Sequence, residues 1–264
     1  MQNTPTTNQR KTSDGYWLNE IYCGDCLEVM RTLPDKSFGL VITSPPYNLA
    51  NSSGNFWKDQ RGSRWDKARL ATDGYTSHND AMPISEYVAW QQECLQEMMR
   101  LLKDDGAIFY NHKWRVQNGL IDDKREIVRE FPVRQIIIWQ RAGGINFNDS
   151  FFVPTYEVIY LIAKPKFKLK PGANGHGDVW RINQARNNPH PAPFPVELAH
   201  RIIDSTDADP ILDPFLGSGT TAVAAQSLGK EWLGIEVSPE YCEMAEKRIK
   251  QTGGLGTMFT PELF

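Results

Sequence analysis

The sequence predicts an α/β fold, a mostly parallel seven-stranded sheet with helices on both faces. Three observations predict it. Short apolar runs alternate with segments whose apolar residues recur at helical spacing, the pattern of a parallel sheet under helices. The run FGLVIT at 38–43 is apolar enough to be a buried strand. The glycine-rich turn after Asp213 joins a strand to a helix. The chain has 264 residues, 40% of them hydrophobic and 23% charged, which suffices for one sizeable core. That composition excludes a disordered chain, a collagen-like chain and a small disulfide scaffold. No apolar run approaches the roughly 18 residues of a membrane span. The opening residues MQNTPTTNQRKTSDG lack the apolar stretch of a secretory signal, so the expectation is a cytoplasmic protein with no membrane association.

The elements follow in order. Residues 1–14 are polar and read as a flexible tail, 15–250 as a single domain and 251–264 as a C-terminal tail. Residues 20–23 form the first strand, a helix follows with Leu27, Met30 and Leu33 at helical spacing, and 38–43 form the second strand. Pro45-Pro46 stops that strand, because proline cannot donate to a sheet ladder. Residues 48–83 lack apolar periodicity and read as a long mobile loop over the strand ends. A helix at 83–103 places Tyr87, Cys94, Leu95, Met98 and Leu102 on one face and ends at Asp104-Asp105-Gly106. Then come strand 107–110, helix 119–130, strands 133–140 and 156–163, and a lysine-rich connection over 164–193. Helices at 196–205, 219–228 and 239–250 alternate with strands at 210–212 and 232–235.

Two motifs carry chemistry. In Ile211-Leu-Asp213-Pro-Phe215-Leu-Gly217-Ser218-Gly219-Thr220-Thr221-Ala222, the glycine pattern G-x-G-x-x-A sits between strand and helix. Glu236 follows at the next strand end, where a carboxylate can accept hydrogen bonds from two vicinal hydroxyls. The glycines let the backbone approach a ligand. A P-loop is excluded, because Gly219 is followed by threonines and not by lysine. In the second motif, Ser44-Pro45-Pro46-Tyr47 closes an apolar strand, where ligands of open α/β sheets sit. Rigid proline carbonyls and the Ser44 hydroxyl form an acceptor cluster suited to an amino group. Tyr47 offers a ring for stacking.

Together these motifs resemble the S-P-P-Y and D-P-F-x-G-x-G-T-T signatures of the S-adenosylmethionine-dependent DNA amino-methyltransferases. The order, catalytic motif first and cofactor motif last, looks like their permuted β class. The resemblance implies a Rossmann-like methyltransferase fold, S-adenosylmethionine as cofactor and double-stranded DNA as substrate. It implies that Ser44, Pro45, Pro46 and Tyr47 hold a base flipped out of the duplex. Asp213, Phe215, Gly217, Ser218, Gly219, Thr220 and Thr221 would bind the methionine part of the cofactor and Glu236 its ribose. Asp25 and Cys26, in a Gly-Asp element, would lie near the adenine, and Phe194 would wrap the cofactor from the other side. Ser at the head of the second motif favours cytosine N4 slightly over adenine N6. The commonness of two-fold assembly makes a homodimer the first guess, and a cognate restriction nuclease is a further candidate partner.

A net charge of −3 requires DNA to meet local cations. Within 164–193, a short candidate recognition segment, Lys166, Lys168, Lys170, Arg181 and Arg186 are the first group. In the long loop, Lys58, Arg61 and Arg64 stand among Trp57 and Trp65. The alternative that shares the glycine pattern, a nicotinamide-dependent oxidoreductase, gives no reason for Ser44–Tyr47. A catalytically silent DNA-binding module would need a basic recognition helix, and the helices are not basic overall. Cys23-Gly-Asp-Cys26 has C-x-x-C spacing, but no second pair completes a zinc site, and the histidines have no metal spacing. His112 follows a strand and could face the site.

Overall fold

The computed structural model describes residues 10–48, 82–117, 119–142, 148–183 and 195–253. The strands are β1 (Arg10–Lys11), β2 (Trp17–Leu18), β3 (Glu20–Cys23), β4 (Phe38–Thr43), β5 (Leu102–His112), β6 (Arg115–Gln117), β7 (Leu120–Asp122), β8 (Val133–Gln140), β9 (Tyr156–Ala163), β10 (Val179–Arg181), β11 (Ile211–Asp213) and β12 (Trp232–Glu236). The helices are α1 (Cys26–Thr32), α2 (Ile84–Leu101), α3 (Arg125–Val128), α4 (Val196–Asp204), α5 (Thr220–Ser227) and α6 (Pro239–Gly253).

Among the described residues the main sheet has eight strands, in the order β10-β8-β9-β5-β4-β11-β12-β3. It is mixed, because β9 runs antiparallel to both of its neighbours while the other five pairings are parallel. The eighth strand corrects the expected seven. It lies within the lysine-rich connection, where Trp180 is buried between exposed Val179 and Arg181, an alternation too short to stand out in the sequence.

Side chains of the central strands alternate between two cores, as a period of two requires. Leu40 and Ile42 of β4 pack on one side with Ile202 of α4, Val223 of α5 and Ala245 of α6. Val41 packs on the other side with Met30 of α1 and with Leu95 and Met98 of α2. Each such leucine, isoleucine, valine or methionine side chain, fully buried, contributes roughly 1.5–3 kcal/mol. α2 buries Tyr87, Gln91, Cys94, Leu95, Met98 and Leu101, one face of a helix. Among the described residues no helix is long and apolar enough to cross a membrane.

Three local expectations need correction. The acidic Asp104-Asp105-Gly106 does not end α2. The helix stops at Leu101, and β5 runs through these residues, because Leu102 pairs with Phe38 and is itself buried. Residues 119–130 are not one helix but β7, which pairs with β6 in a hairpin, and the single turn α3. Asp122 makes ion pairs with Arg115 across the hairpin and with Lys124, at 3.5 and 2.5 Å. Arg10 and Lys11, read as tail, form β1 and pair with β2.

The register matters most for function. Thr43 lies beside Tyr110, Asp213 beside Gly234 and Glu236 beside Cys23. The C-terminal ends of β3, β12, β11, β4 and β5 therefore form one continuous edge, and both motifs lie on it.

Candidate active site

The glycine turn is built around two buried carboxylates. Asp213 accepts the Thr221 hydroxyl at 2.6 Å, the Phe215 N–H at 3.1 Å and the Thr43 hydroxyl at 2.9 Å. The last of these joins the turn to the end of β4. Burial pushes the Asp213 carboxyl up to about 6, against the pull of these three donors. Glu236 accepts the Gly217 N–H at 2.8 Å and the Ser238 N–H at 2.9 Å, and burial raises it too. Three donors leave a carboxylate like Asp213 with about one open acceptor position, and two leave Glu236 with room for more.

The glycines have a second reason to be there. Gly219 stands at φ +83°, and a Cβ on it would lie 3.0 Å from the Cβ of Ala245. The residue is thus required by its conformation and by the packing of α6. Arg248 of α6 reaches back to donate to the Ser218 carbonyl, the Ser218 hydroxyl and the Thr220 hydroxyl, at 3.0–3.1 Å. Phe215 meets the edge of Trp90 from α2, with ring centroids 5.7 Å apart.

At the end of β3, Asp25 is the N-cap of α1, accepting the Leu27 and Glu28 N–H groups through Oδ1. Cys26 is buried with its Sγ 3.9 Å from that of Cys94, and all four cysteines are free thiols.

The Ser44–Tyr47 segment is held from below by a polar cluster. Ser44 Oγ lies 2.6 Å from Tyr47 Oη, and Tyr47 donates to Glu157 Oε2 at 3.1 Å. The Asn111 amide nitrogen contacts Tyr47 Oη at 2.7 Å, Glu157 Oε2 at 2.8 Å and Ser44 Oγ at 3.2 Å. Arg141 pairs with the other Glu157 oxygen at 3.3 Å. The Pro46 carbonyl accepts the Tyr87 hydroxyl at 2.8 Å, and Tyr87 Oη is 2.7 Å from His112 Nε2. Burial drives His112 down to about 3, so its imidazole is neutral at pH 7. Its ring packs against Tyr47, with centroids 4.9 Å apart.

Residues 38–247 match the N6/N4 Mtase family, described as DNA methylase. The chain belongs to this family. The methylase is an S-adenosylmethionine-dependent DNA amino-methyltransferase. It is 29% identical over 273 residues to the type II methyltransferase M.BglII of Bacillus subtilis, covering 86% of this chain and 68% of the relative. It is 26% identical over 262 residues to M.HinfI of Haemophilus influenzae, covering 89% and 69%. The solved PvuII DNA methyltransferase (cytosine-N4-specific) shares the fold, with TM-score 0.67, 20% identity and coverage of 89% and 91%. So does the M1.HpyAVI–SAM complex, with TM-score 0.57, 21% identity and coverage of 87% and 98%.

The fold of the methylase brings Ser44, Pro45, Pro46, Tyr47, Asp213, Phe215, Gly217, Glu236 and Asp25 to one edge of the sheet. It does not bring the lysine run there. Because β9 is antiparallel, the chain leaves it at the opposite edge, where the Lys164 N–H meets the Gly106 carbonyl. Lys166 pairs with Asp104 there, and Lys170 with Asp204 and Asp207, while Lys168 is exposed. Arg181 stands on the Ser44 edge, beside Gln140. Lys58, Arg61, Arg64, Arg186 and Phe194 lie outside the described residues. Sequence reasoning missed Asn111, Glu157, Tyr87 and Arg141. The signal available was a Glu near the start of an otherwise apolar strand, a costly residue to bury without partners.

Proposed function

We propose that the methylase transfers a methyl group to the exocyclic amine of a base flipped out of duplex DNA, with cytosine N4 slightly favoured over adenine N6. The observation that carries this reading is the Thr43–Asp213 hydrogen bond, which joins the Ser44–Tyr47 segment to the glycine turn at one sheet edge. In this reading the open acceptor position of Asp213 takes the cofactor's ammonium group and Glu236 takes its ribose hydroxyls. The donor counts above fit both. Ser44 Oγ and the Pro45 carbonyl accept the amine hydrogens and turn the nitrogen lone pair toward the sulfonium methyl. Positioning of this kind needs no covalent nucleophile. The Pro46 carbonyl is already taken by Tyr87, which supports assigning the amine to Pro45. The preference for cytosine rests on Ser44.

The test is mass spectrometry of nucleosides from the DNA of an expressing host. N4-methylcytosine is the expected product. N6-methyladenine instead would reassign the base, and neither product would end the reading.

DNA contact is proposed to follow the Ser44 edge. Arg181 lies four strands from β4, roughly 19 Å at about 4.8 Å per strand, a span comparable to a duplex lying across the edge. Arg181→Ala should reduce the slope of log affinity against log salt by about 0.9, as the loss of one phosphate contact does. Replacing Lys166, Lys168 and Lys170 by Ala should leave that slope as it is, because these residues face away. Fluorescence anisotropy across a salt series separates the two, and the opposite pattern would restore the lysine run as the DNA contact.

A further inference from the structure

We propose that Glu157 is the positioning residue that sets the direction of the hydrogen-bond chain under Ser44 and receives the proton released by methyl transfer. The proposal rests on the amine-methylation reading above and adds a residue that reading does not use. Glu157 is 4% exposed, at the start of β9. A carboxylate accepts and does not donate. The hydrogen between Tyr47 and Glu157 therefore belongs to Tyr47. With its only hydrogen committed, Tyr47 Oη can do nothing but accept from Ser44, 2.6 Å away. Ser44 in turn spends its hydrogen on Tyr47. The two hydrogens of the Asn111 amide go to its shorter contacts, Tyr47 Oη at 2.7 Å and Glu157 Oε2 at 2.8 Å, and Ser44 Oγ lies farther off at 3.2 Å. The Ser44 lone pairs are left as acceptors, and Ser44 is only half-buried, so a bound amine can reach them.

The polarity is thus amine to Ser44, Ser44 to Tyr47, Tyr47 to Glu157. Without the carboxylate the same three groups could reverse, and Ser44 would present a hydrogen to the amine. Arg141 occupies the other oxygen of Glu157, which fixes the carboxylate in its plane. Asn111 adds an independent observation. Its Oδ1 is buried and has no hydrogen-bond partner among the described residues, a vacancy that a donor on a bound base would fill.

The same chain balances the reaction. The amine nitrogen forms its bond to the methyl carbon as the methyl–sulfur bond breaks, its electron pair staying on sulfur. The nitrogen then holds one proton too many. That proton passes to Ser44 Oγ, the Ser44 proton to Tyr47 Oη and the Tyr47 proton to Glu157 Oε2.

The test uses the full chain, tritiated S-adenosylmethionine and unmethylated bacterial genomic DNA. Glu157→Gln and Tyr47→Phe should each slow single-turnover transfer on the order of 100-fold, the scale of a lost general base. The KM for DNA and the calorimetric cofactor affinity should stay within about threefold in both. The double variant should be no slower than the slower single one, because groups acting as one chain are not additive. Either single variant transferring within about threefold of wild type, or a double variant losing the product of the two effects, would overturn the proposal. If Glu157→Gln also weakens the cofactor, Tyr47→Phe decides alone, since it leaves Glu157, Arg141 and Asn111 in place. A wild-type chain that methylates no DNA would instead strike the underlying reading.

Discussion

Gly219→Val is expected to lower the stability of the methylase by about 2–5 kcal/mol. Two costs combine. A left-handed backbone at a residue with a side chain costs roughly 1–2 kcal/mol, and Gly219 stands at φ +83°. Forcing extra methyl groups into a filled interior costs roughly another 1–3 kcal/mol. The first carbon alone already meets Ala245 at 3.0 Å, with Ile249 behind it at 3.4 Å. Ala245 and Ile249 belong to the same packed layer as α4 and α5, so α6 has little room to withdraw. Gly219→Ala should lose less, chiefly the conformational part. Urea unfolding of both variants checks this. A valine variant within about 1 kcal/mol of wild type would show that α6 yields freely.

Asp213→Asn is expected to change how stability depends on pH. Folding raises the Asp213 carboxyl from its ordinary 3.8 to about 6. Between those values the folded chain binds more protons than the unfolded one. Stability contributed by this group is therefore highest below about 4 and falls as pH rises through 6. The shift corresponds to about 3 kcal/mol lost at neutral pH. Asparagine does not titrate, so the stability difference between variant and wild type should move by about 3 kcal/mol in the variant's favour from pH 4 to pH 7. The cofactor should respond in the opposite sense. If the carboxylate receives the ammonium group, wild-type affinity for S-adenosylmethionine weakens below about pH 6, and the variant binds weakly throughout. Urea titrations at fixed pH and calorimetry read the two effects. A difference that stays constant with pH would remove the titration from Asp213.

Much of the framework was legible because its signals are local. β3 and β4 were placed at their observed bounds, since each is a short run closed by turn-forming residues, Gly24-Asp25 in one case and Pro45-Pro46 in the other. The glycine turn and Glu236 were legible for the same reason, a fixed spacing along one stretch of chain. What failed depended on distant partners. Leu102 was assigned to a helix because its own neighbours are helical, whereas its partner across the sheet is Phe38. Residues 119–130 read as one helix, yet Leu120 and Ile121 are exposed on a hairpin strand whose partner is β6. The place of the lysine run in the fold was equally hidden, since its reading rested on charge alone. Charge does not reveal which end of a sheet a connection occupies, and the antiparallel β9 decides that. Glu157, Asn111 and Tyr87 come from three different elements, and only the closed sheet puts them under Tyr47.

The order of strands also bears on how the chain acquires its shape during synthesis. β3 and β4 are made early, yet β11 and β12 stand between them, and both come after residue 210. Among the described strands of the main sheet, β3 has β12 as its sole neighbour. The Thr43–Asp213 bond closes across 170 positions. Contacts this far apart in sequence form late, because the entropy of closing the intervening chain must be overcome first. A nascent chain that has passed Tyr47 but not Glu236 therefore holds half of each motif pair and no joined edge. The Ser44–Tyr47 segment waits through the 170 positions between Thr43 and Asp213 for the strands that connect it to the glycine turn, and the two join at one sheet edge only once those strands have been made.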